Sequence, residues 1–249
     1  MKITILGCSG SVTPGYNTTS ILINGHTLID AGSAASVLTE KALSGIRTIL
    51  LTHSHIDHIK ELPFIIDTLY SLGTTGTTIW GSEKTIEALK THVFNGLIWP
   101  DMKELDAEEG FVRLKILPSS EIVIENITVQ AVSVDHIAGS VGYILSDNGN
   151  KVFFSGDAGY QQSMFERIGH LGDDLKALFI EVSFPDRMQH IAKVSRHLTP
   201  GSIRQGIKGR VGTSTRVIAY HIKPKHLEEV ISELSPEIEY IVGGEEFTF

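Results

Sequence analysis

The feature that most limits how this chain can fold is the run Thr52-His53-Ser54-His55-Ile56-Asp57-His58. It puts four metal-ligating side chains, His53, His55, Asp57 and His58, directly after the apolar stretch 47–51. Alternation along an extended segment puts His53 and His55 on one side. Asp57 and His58 fall on the turn that opens a following helix, where they reach toward a second, neighbouring point. The run therefore offers two donor sets. Neutral imidazole suits zinc, and the carboxylate widens the choice to manganese or iron. Such donors need partners from elsewhere in the chain, so the fold must bring distant segments to one place.

Three partners stand just past apolar stretches. His136 closes 127–134, Asp157 follows 151–155 in Gly156-Asp157-Ala158-Gly159, and His221 follows 216–220. A residue just past a strand is where a packed sheet presents side chains to a cleft. Strand patterns come in two batches: 2–7, 19–24, 26–30, 47–52 and 77–80, then 111–117, 121–124, 127–134, 141–146, 151–155, 177–182, 215–220 and 238–242. Asn24-Gly25 and the run 147–150 read as hairpin turns. Helical patterns cover 58–71, 82–94 with Ser82 as N-cap, 200–208, and 224–234 opening on Pro224. Many short strands with few helices predict an α/β protein in which two sheets pack face to face with helices outside. A break near 110–120 predicts two related halves. The length of 249 residues fits one domain over 1–249.

Charge narrows the partners. With 29 acidic and 21 basic residues the net charge is −8, which is not suited to general attachment to a nucleic-acid polymer or an anionic membrane. Residues 187–225 nevertheless carry nine Lys or Arg and no Asp or Glu. This stretch reads either as a solvated surface or as a local field for a small anionic substrate. A single cysteine, Cys8, allows no internal disulfide and leads us to expect a reducing, cytoplasmic setting. No apolar run approaches the roughly 20 residues that span a bilayer. A homodimer, the commonest closed assembly, is the default expectation for oligomeric state.

The order His-x-His-x-Asp-His, then His136, then Gly156-Asp157, then His221 resembles the metallo-β-lactamase superfamily over nearly the whole chain. Leu28-Ile29-Asp30-Ala31-Gly32 resembles that family's early Asp-Gly-type turn. The resemblance implies a four-layer αββα sandwich. It implies that His53, His55 and His136 hold one divalent metal ion, that Asp57, His58 and His221 hold another, and that Asp157 bridges them. Asp30 would orient a ligand histidine. Ile180-Glu181-Val182-Ser183-Phe184, Arg196-His197-Leu198-Thr199-Pro200 and Tyr220-His221-Ile222-Lys223-Pro224 resemble class II cyclic-nucleotide phosphodiesterases. The chain departs from that pattern at Glu61 and Pro63, where a small and an apolar residue are expected.

This likeness implies hydrolysis of a 3′,5′-cyclic nucleotide, cyclic AMP or cyclic GMP, by a hydroxide activated between two ions, zinc or else manganese or iron. Asp57 would orient or deprotonate the water. His197 would contact a phosphate oxygen or protonate the leaving ribose oxygen. Arg196 and Lys223 are candidate substrate-binding cations, and Glu181 is a candidate partner for a ligand histidine or for His197. Ser183 receives no role. Phe64, Tyr70, Trp80, Trp99 and Phe184 are available to hold the base. Competing readings are a ribonuclease Z-like RNA phosphodiesterase and a lactonase or thioesterase, because one fold hosts many chemistries.

Overall fold

A computed structural model of the protein describes residues 1–102 and 110–249. Its strands form two seven-stranded sheets. The first contains β1 (Lys2–Gly7), β2 (Ser20–Ile23), β3 (Thr27–Ile29), β4 (Thr48–Leu50), β5 (Thr77–Gly81) and β6 (Val112–Ile116), with β14 (Glu246–Thr248) beside β1. The second runs in order through β7 (Ile122–Ile124), β8 (Ile127–Ser133), β9 (Val141–Asp147), β10 (Asn150–Phe154), β11 (Leu175–Glu181), β12 (Arg216–Tyr220) and β13 (Ile238–Tyr240). The expected break falls between β6 and β7. Each sheet starts antiparallel and turns parallel, at β3–β6 in the first and β10–β13 in the second. The halves thus repeat one plan, and the exception is β14, which crosses back from the second half. Ligands bind beyond the carboxyl ends of parallel strands, and these ends carry Asp30, Thr52, Asp157, Glu181 and His221 close behind them.

Burial explains the layers. The facing sheets enclose Ile3, Ile5, Ile21, Ile23, Tyr143, Phe154, Phe179 and Ile218. Phe154 and Phe179 stack at 4.5 Å between centroids. On the outer side of the first sheet, Leu28, Ile49 and Ile79 meet Leu62, Ile66 and Leu69 of α4 (Leu62–Ser71) and Ile86 and Leu89 of α5 (Glu83–His92). Outside the second sheet, Phe153, Leu178 and Ile180 meet Phe165 of α6 (Gln162–Gly169) and Ile203 of α8 (Pro200–Ile207). Helix, sheet, sheet, helix is the αββα sandwich. Among the described residues no helix is long and apolar enough to cross a membrane.

Local chemistry sets the boundaries. Ser82 caps α5 by accepting the Thr85 N–H, and Thr199 caps α8 with Pro200 in its first turn. The expected helix over 58–71 is two helices, α3 (Ile56–Ile59) and α4, with Glu61 between them. Here lie the two departures noted above. Pro63 sits in the first turn of α4, where a missing N–H costs nothing. Glu61 accepts hydrogen bonds from the Ser36 hydroxyl at 2.7 Å and the Ser36 N–H at 3.0 Å. The expected helix over 224–234 is a short 3-10 turn followed by α9 (Leu227–Glu233). Among the described residues, four further helices and one strand were not expected: α1 (Ala34–Val37), α2 (Glu40–Leu43), α6, α7 (Gln189–Ser195) and β14.

The sheets are tied together just behind the histidine run. Tyr143 on β9 is fully buried and donates its hydroxyl to the Leu51 carbonyl at 2.6 Å. Tyr143→Phe should lower the unfolding free energy by about 1–2 kcal/mol, because a buried carbonyl loses its donor. Denaturant titration should show a lower midpoint with an unchanged slope.

Candidate metal centre

Strand ends deliver the donors. β4 leads into His53 and His55, α3 carries Asp57 and His58, the turn after β8 carries His136, the turn after β10 carries Asp157, and β12 ends beside His221. Their atoms form two groups, His53, His55, His136 and Asp157, and Asp57, His58, Asp157 and His221; within each group they lie within 4.8 Å of one another. Asp157 belongs to both. Its Oδ1 is 3.3 Å from Nε2 of His58 and of His221, and its Oδ2 is 3.7 Å from His136 Nε2 and 3.8 Å from His53 Nε2. Asp57 Oδ2 is 3.5 Å from His221 Nε2 and 3.7 Å from His58 Nε2. His55 turns Nδ1 inward, 3.0 Å from His136 Nε2.

The donor set fits a pair of divalent cations. Nε2 of His53, His58 and His221 and Oδ1 of Asp157 are buried without a hydrogen-bond partner, although buried polar atoms are rarely left alone. All four face the shared region. The electrostatics agree. Burial opposes charge on His58, but the carboxylates of Asp157 and Asp30 outweigh it and hold the ring well above the usual histidine range. Burial also opposes ionisation of Asp157, yet His221, His58 and His53 hold it well below the carboxylate range. Asp57 likewise stays ionised against its burial through the nearness of His221 and the charge of His58. Burial pushes His53, His55 and His136 downward, which keeps lone pairs available. Two anionic carboxylates beside three neutral rings suit a cation, and the positive charge that the carboxylates draw onto His58 is what a bound cation would replace.

Two buried carboxylates aim the rings. Asp30 Oδ2 accepts from His58 Nδ1 at 2.7 Å and from the Thr52 hydroxyl at 2.8 Å, and that hydroxyl lies 3.0 Å from His53 Nδ1. Asp30 therefore reaches one ring directly and a second through Thr52. Glu181 repeats the device. Its Oε1 accepts from His197 Nδ1 at 2.8 Å and from the Ala158 N–H at 3.1 Å, next to Asp157. Its Oε2 lies 3.4 Å from the Ser183 hydroxyl, and Ser183 Oγ is 3.1 Å from His221 Nδ1. With Nε2 turned inward, His221 donates through Nδ1 to Ser183, and Ser183 donates to Glu181. His136 Nδ1 donates to the Arg196 carbonyl at 2.9 Å. A third group, Glu181, His197 and His221, has the residue types of a metal site. The Ser183 hydroxyl lies between those two rings, 3.2 Å from His197 Nδ1, so this is a hydrogen-bond hub.

Backbone shape supports this. Gly156 has φ +62, and a Cβ there would meet the Val141 carbonyl at 2.8 Å, so the turn before Asp157 needs glycine. Gly10 packs on His221, where a Cβ would lie 2.6 Å from its carbonyl oxygen. Asp30 and His221 themselves have φ of 58 and 63, a left-handed conformation that costs about 1–3 kcal/mol and gathers at functional sites.

The structure thus brings together all seven residues expected to hold metal, with Asp30, Glu181 and His197 around them. The two candidate cations are otherwise engaged. The Arg196 guanidinium bonds the His136 carbonyl and lies 3.7 Å from Asp135. Lys223 donates to the Gly10 carbonyl at 3.0 Å and sits over the Phe184 ring. Of the aromatic candidates, Phe184 lies beside His197, at 5.9 Å between centroids. Phe64 packs on Trp99, Tyr70 on Phe111, and Trp80 carries Lys115. Sequence reading missed Thr52 and Ser183. Their only signal is a hydroxyl next to His53 and one two residues past Glu181.

Residues 20–241 match the family described as beta-lactamase superfamily domain, and the chain belongs to that family. The Yersinia pestis protein named "Probable 3′,5′-cyclic-nucleotide phosphodiesterase" is 24% identical over 245 residues, covering 87% of this chain and 68% of that one. A ribonuclease Z of Methanosarcina mazei is 31% identical over 156 residues, 59% of this chain and 49% of its own length. Over the stretch they match, the chain spans about two-thirds of the first relative and half of the second. The crystal structure of unliganded yeast PDE1 superposes with a TM-score of 0.82 at 20% identity, covering 100% of this chain and 99% of that one. It has the same fold.

Ser183→Ala should weaken metal retention about 10–100-fold, the usual effect of removing a group that orients a ligand. Competition with a chelator should show this loss for one of two bound ions, while the melting temperature of the metal-stripped protein changes little.

Proposed function

We propose that the protein is a metal-dependent phosphodiesterase that hydrolyses 3′,5′-cyclic nucleotides to 5′-nucleotides. The observation that carries this reading is the double donor set sharing Asp157, with His197 beside it on a Glu181 tether. The named Yersinia relative supports the substrate class. His53, His55, His136 and Asp157 would hold one ion, and Asp57, His58, Asp157 and His221 the other. Zinc suits this imidazole-rich set. Bound there, two such ions lower the pKa of water and offset charge on a phosphoryl oxygen. We take residues 1–249 as one hydrolase domain, since both sheets share one apolar interior.

The chain's own groups then divide the work. Asp57, the most exposed of the carboxylates in the cluster, orients the attacking water and accepts its proton. The water oxygen bonds to phosphorus as the bond from phosphorus to the ribose 3′ oxygen breaks. His197 presents Nε2 to the cleft because Glu181 holds its Nδ1, and it protonates the departing oxygen.

An RNA polymer is less well served. Three of the nine basic residues in the stretch pair closely with acids outside it. Arg187 pairs with Glu229 at 2.6 Å, Arg204 with Asp186 at 2.8 Å and Arg216 with Glu239 at 2.7 Å. These pairs reduce the field available to hold a long phosphate backbone. Turnover that fell steeply with added salt would favour the ribonuclease Z-like reading instead.

Metal analysis should find two ions per chain, with hydrolysis of cyclic AMP, cyclic GMP or both, and of bis(p-nitrophenyl) phosphate. His55→Ala and Asp157→Ala should each abolish turnover and lower bound metal; near wild-type activity in either would overturn its role. His197→Ala should reduce kcat on the cyclic nucleotide about 10²–10⁴-fold. The loss should be much smaller on bis(p-nitrophenyl) phosphate, whose leaving group needs no proton. Equal losses on both substrates would refute His197 as the acid.

A further inference from the structure

We infer that the cavity next to His197 receives the nucleoside half of the substrate, with Tyr160 as its stacking platform and Gln189 and Gln205 reading the base edge. This rests on the proposed cyclic-nucleotide reading. The cavity is about 650 Å³ and is lined by Tyr160, Gln189, Lys193, Arg196, His197 and Gln205, among others. It lies between α7, α8 and the two turns that carry His136 and Asp157. His197 lines it and stands beside the centre, its ring 4.9 Å from the His136 ring. Two other cavities, one at Gln130 and Arg167 and one along α5, contain no residue of the centre.

The lining chemistry suits a nucleoside. Gln189 and Lys193 are four residues apart on one face of α7, and Gln205 projects from α8 opposite. Among the described residues none of these three side chains makes a hydrogen bond or ion pair with the protein. A primary amide offers both a donor and an acceptor, the pairing that fits a base edge. The ammonium of Lys193 suits a ring nitrogen or carbonyl. Tyr160 is 39% exposed and is braced from behind by Phe165 at 5.4 Å. A fixed, half-open ring is a stacking surface. A phosphodiester centred at the metal cluster would leave its ribose near His197 and its base in this cavity.

Tyr160→Ala and Gln205→Ala test this, with folding checked by circular dichroism. Cyclic AMP and bis(p-nitrophenyl) phosphate serve as substrates, and 5′-AMP as an inhibitor of the second reaction. In Tyr160→Ala the ratio of kcat/KM for cyclic AMP to that for bis(p-nitrophenyl) phosphate should fall about 10-fold, the effect of losing one base stack. The fall should lie in KM rather than kcat, and the inhibition constant of 5′-AMP should rise in parallel. Gln205→Ala should act in the same direction by a smaller factor. If both variants keep the wild-type ratio and 5′-AMP inhibition within twofold, the assignment is wrong while the phosphodiesterase reading stands. If the wild type cleaves bis(p-nitrophenyl) phosphate but neither cyclic nucleotide, the functional reading fails, and 5′-AMP inhibition alone then decides the cavity.

Discussion

A carboxylate buried between the two sheets' ends holds this architecture to one arrangement. Asp157 is 2% exposed, and leaving an ionised group so deep costs several kcal/mol unless partners surround it. Its partners come from β4, α3, β8 and β12, elements far apart in the chain. Neither sheet can shift against the other without separating Asp157, which follows a strand of the second sheet, from His53 and His58, which follow β4 of the first. The same demand explains the tight turn at Gly156 and the N–H of Ala158 tied to Glu181.

The two halves answer this demand with one device. In the first, a buried acid past β3 aims one imidazole itself and a second through a threonine. In the second, a buried acid ending β11 does so through a serine. The first acid serves two rings of the centre. The second serves one ring of the centre and His197, which lies just outside. Symmetry of support thus ends in asymmetry of placement: only the Glu181 side holds a ring, His197, that stands outside the two donor groups sharing Asp157.

Much of this was legible in the sequence, for physical reasons. Histidine and aspartate past apolar runs are scarce enough to stand out, so the seven donors were found before their geometry. Alternation located most strands, because half-buried sheets impose a period of two. What escaped were elements whose logic is tertiary. β14 carries one buried side chain, Phe247, and exists because β1 offers an unpaired edge. Helices α1 and α2 are four residues each, too short for a periodic signal. Ser183 is an ordinary serine in sequence, and only the convergence of His197, His221 and Glu181 gives it a task. The basic stretch left two readings open, because the acids that pair with Arg187, Arg204 and Arg216 are supplied from outside it.

The return of β14 to β1 also bears on biogenesis. Residues 246–248 are translated after every strand of the second sheet, yet they close an edge created by residues 2–4. Until then β1 presents open backbone groups, which invite pairing with neighbouring chains. A nick that trims this strand should therefore show itself as aggregation before it shows as lost chemistry.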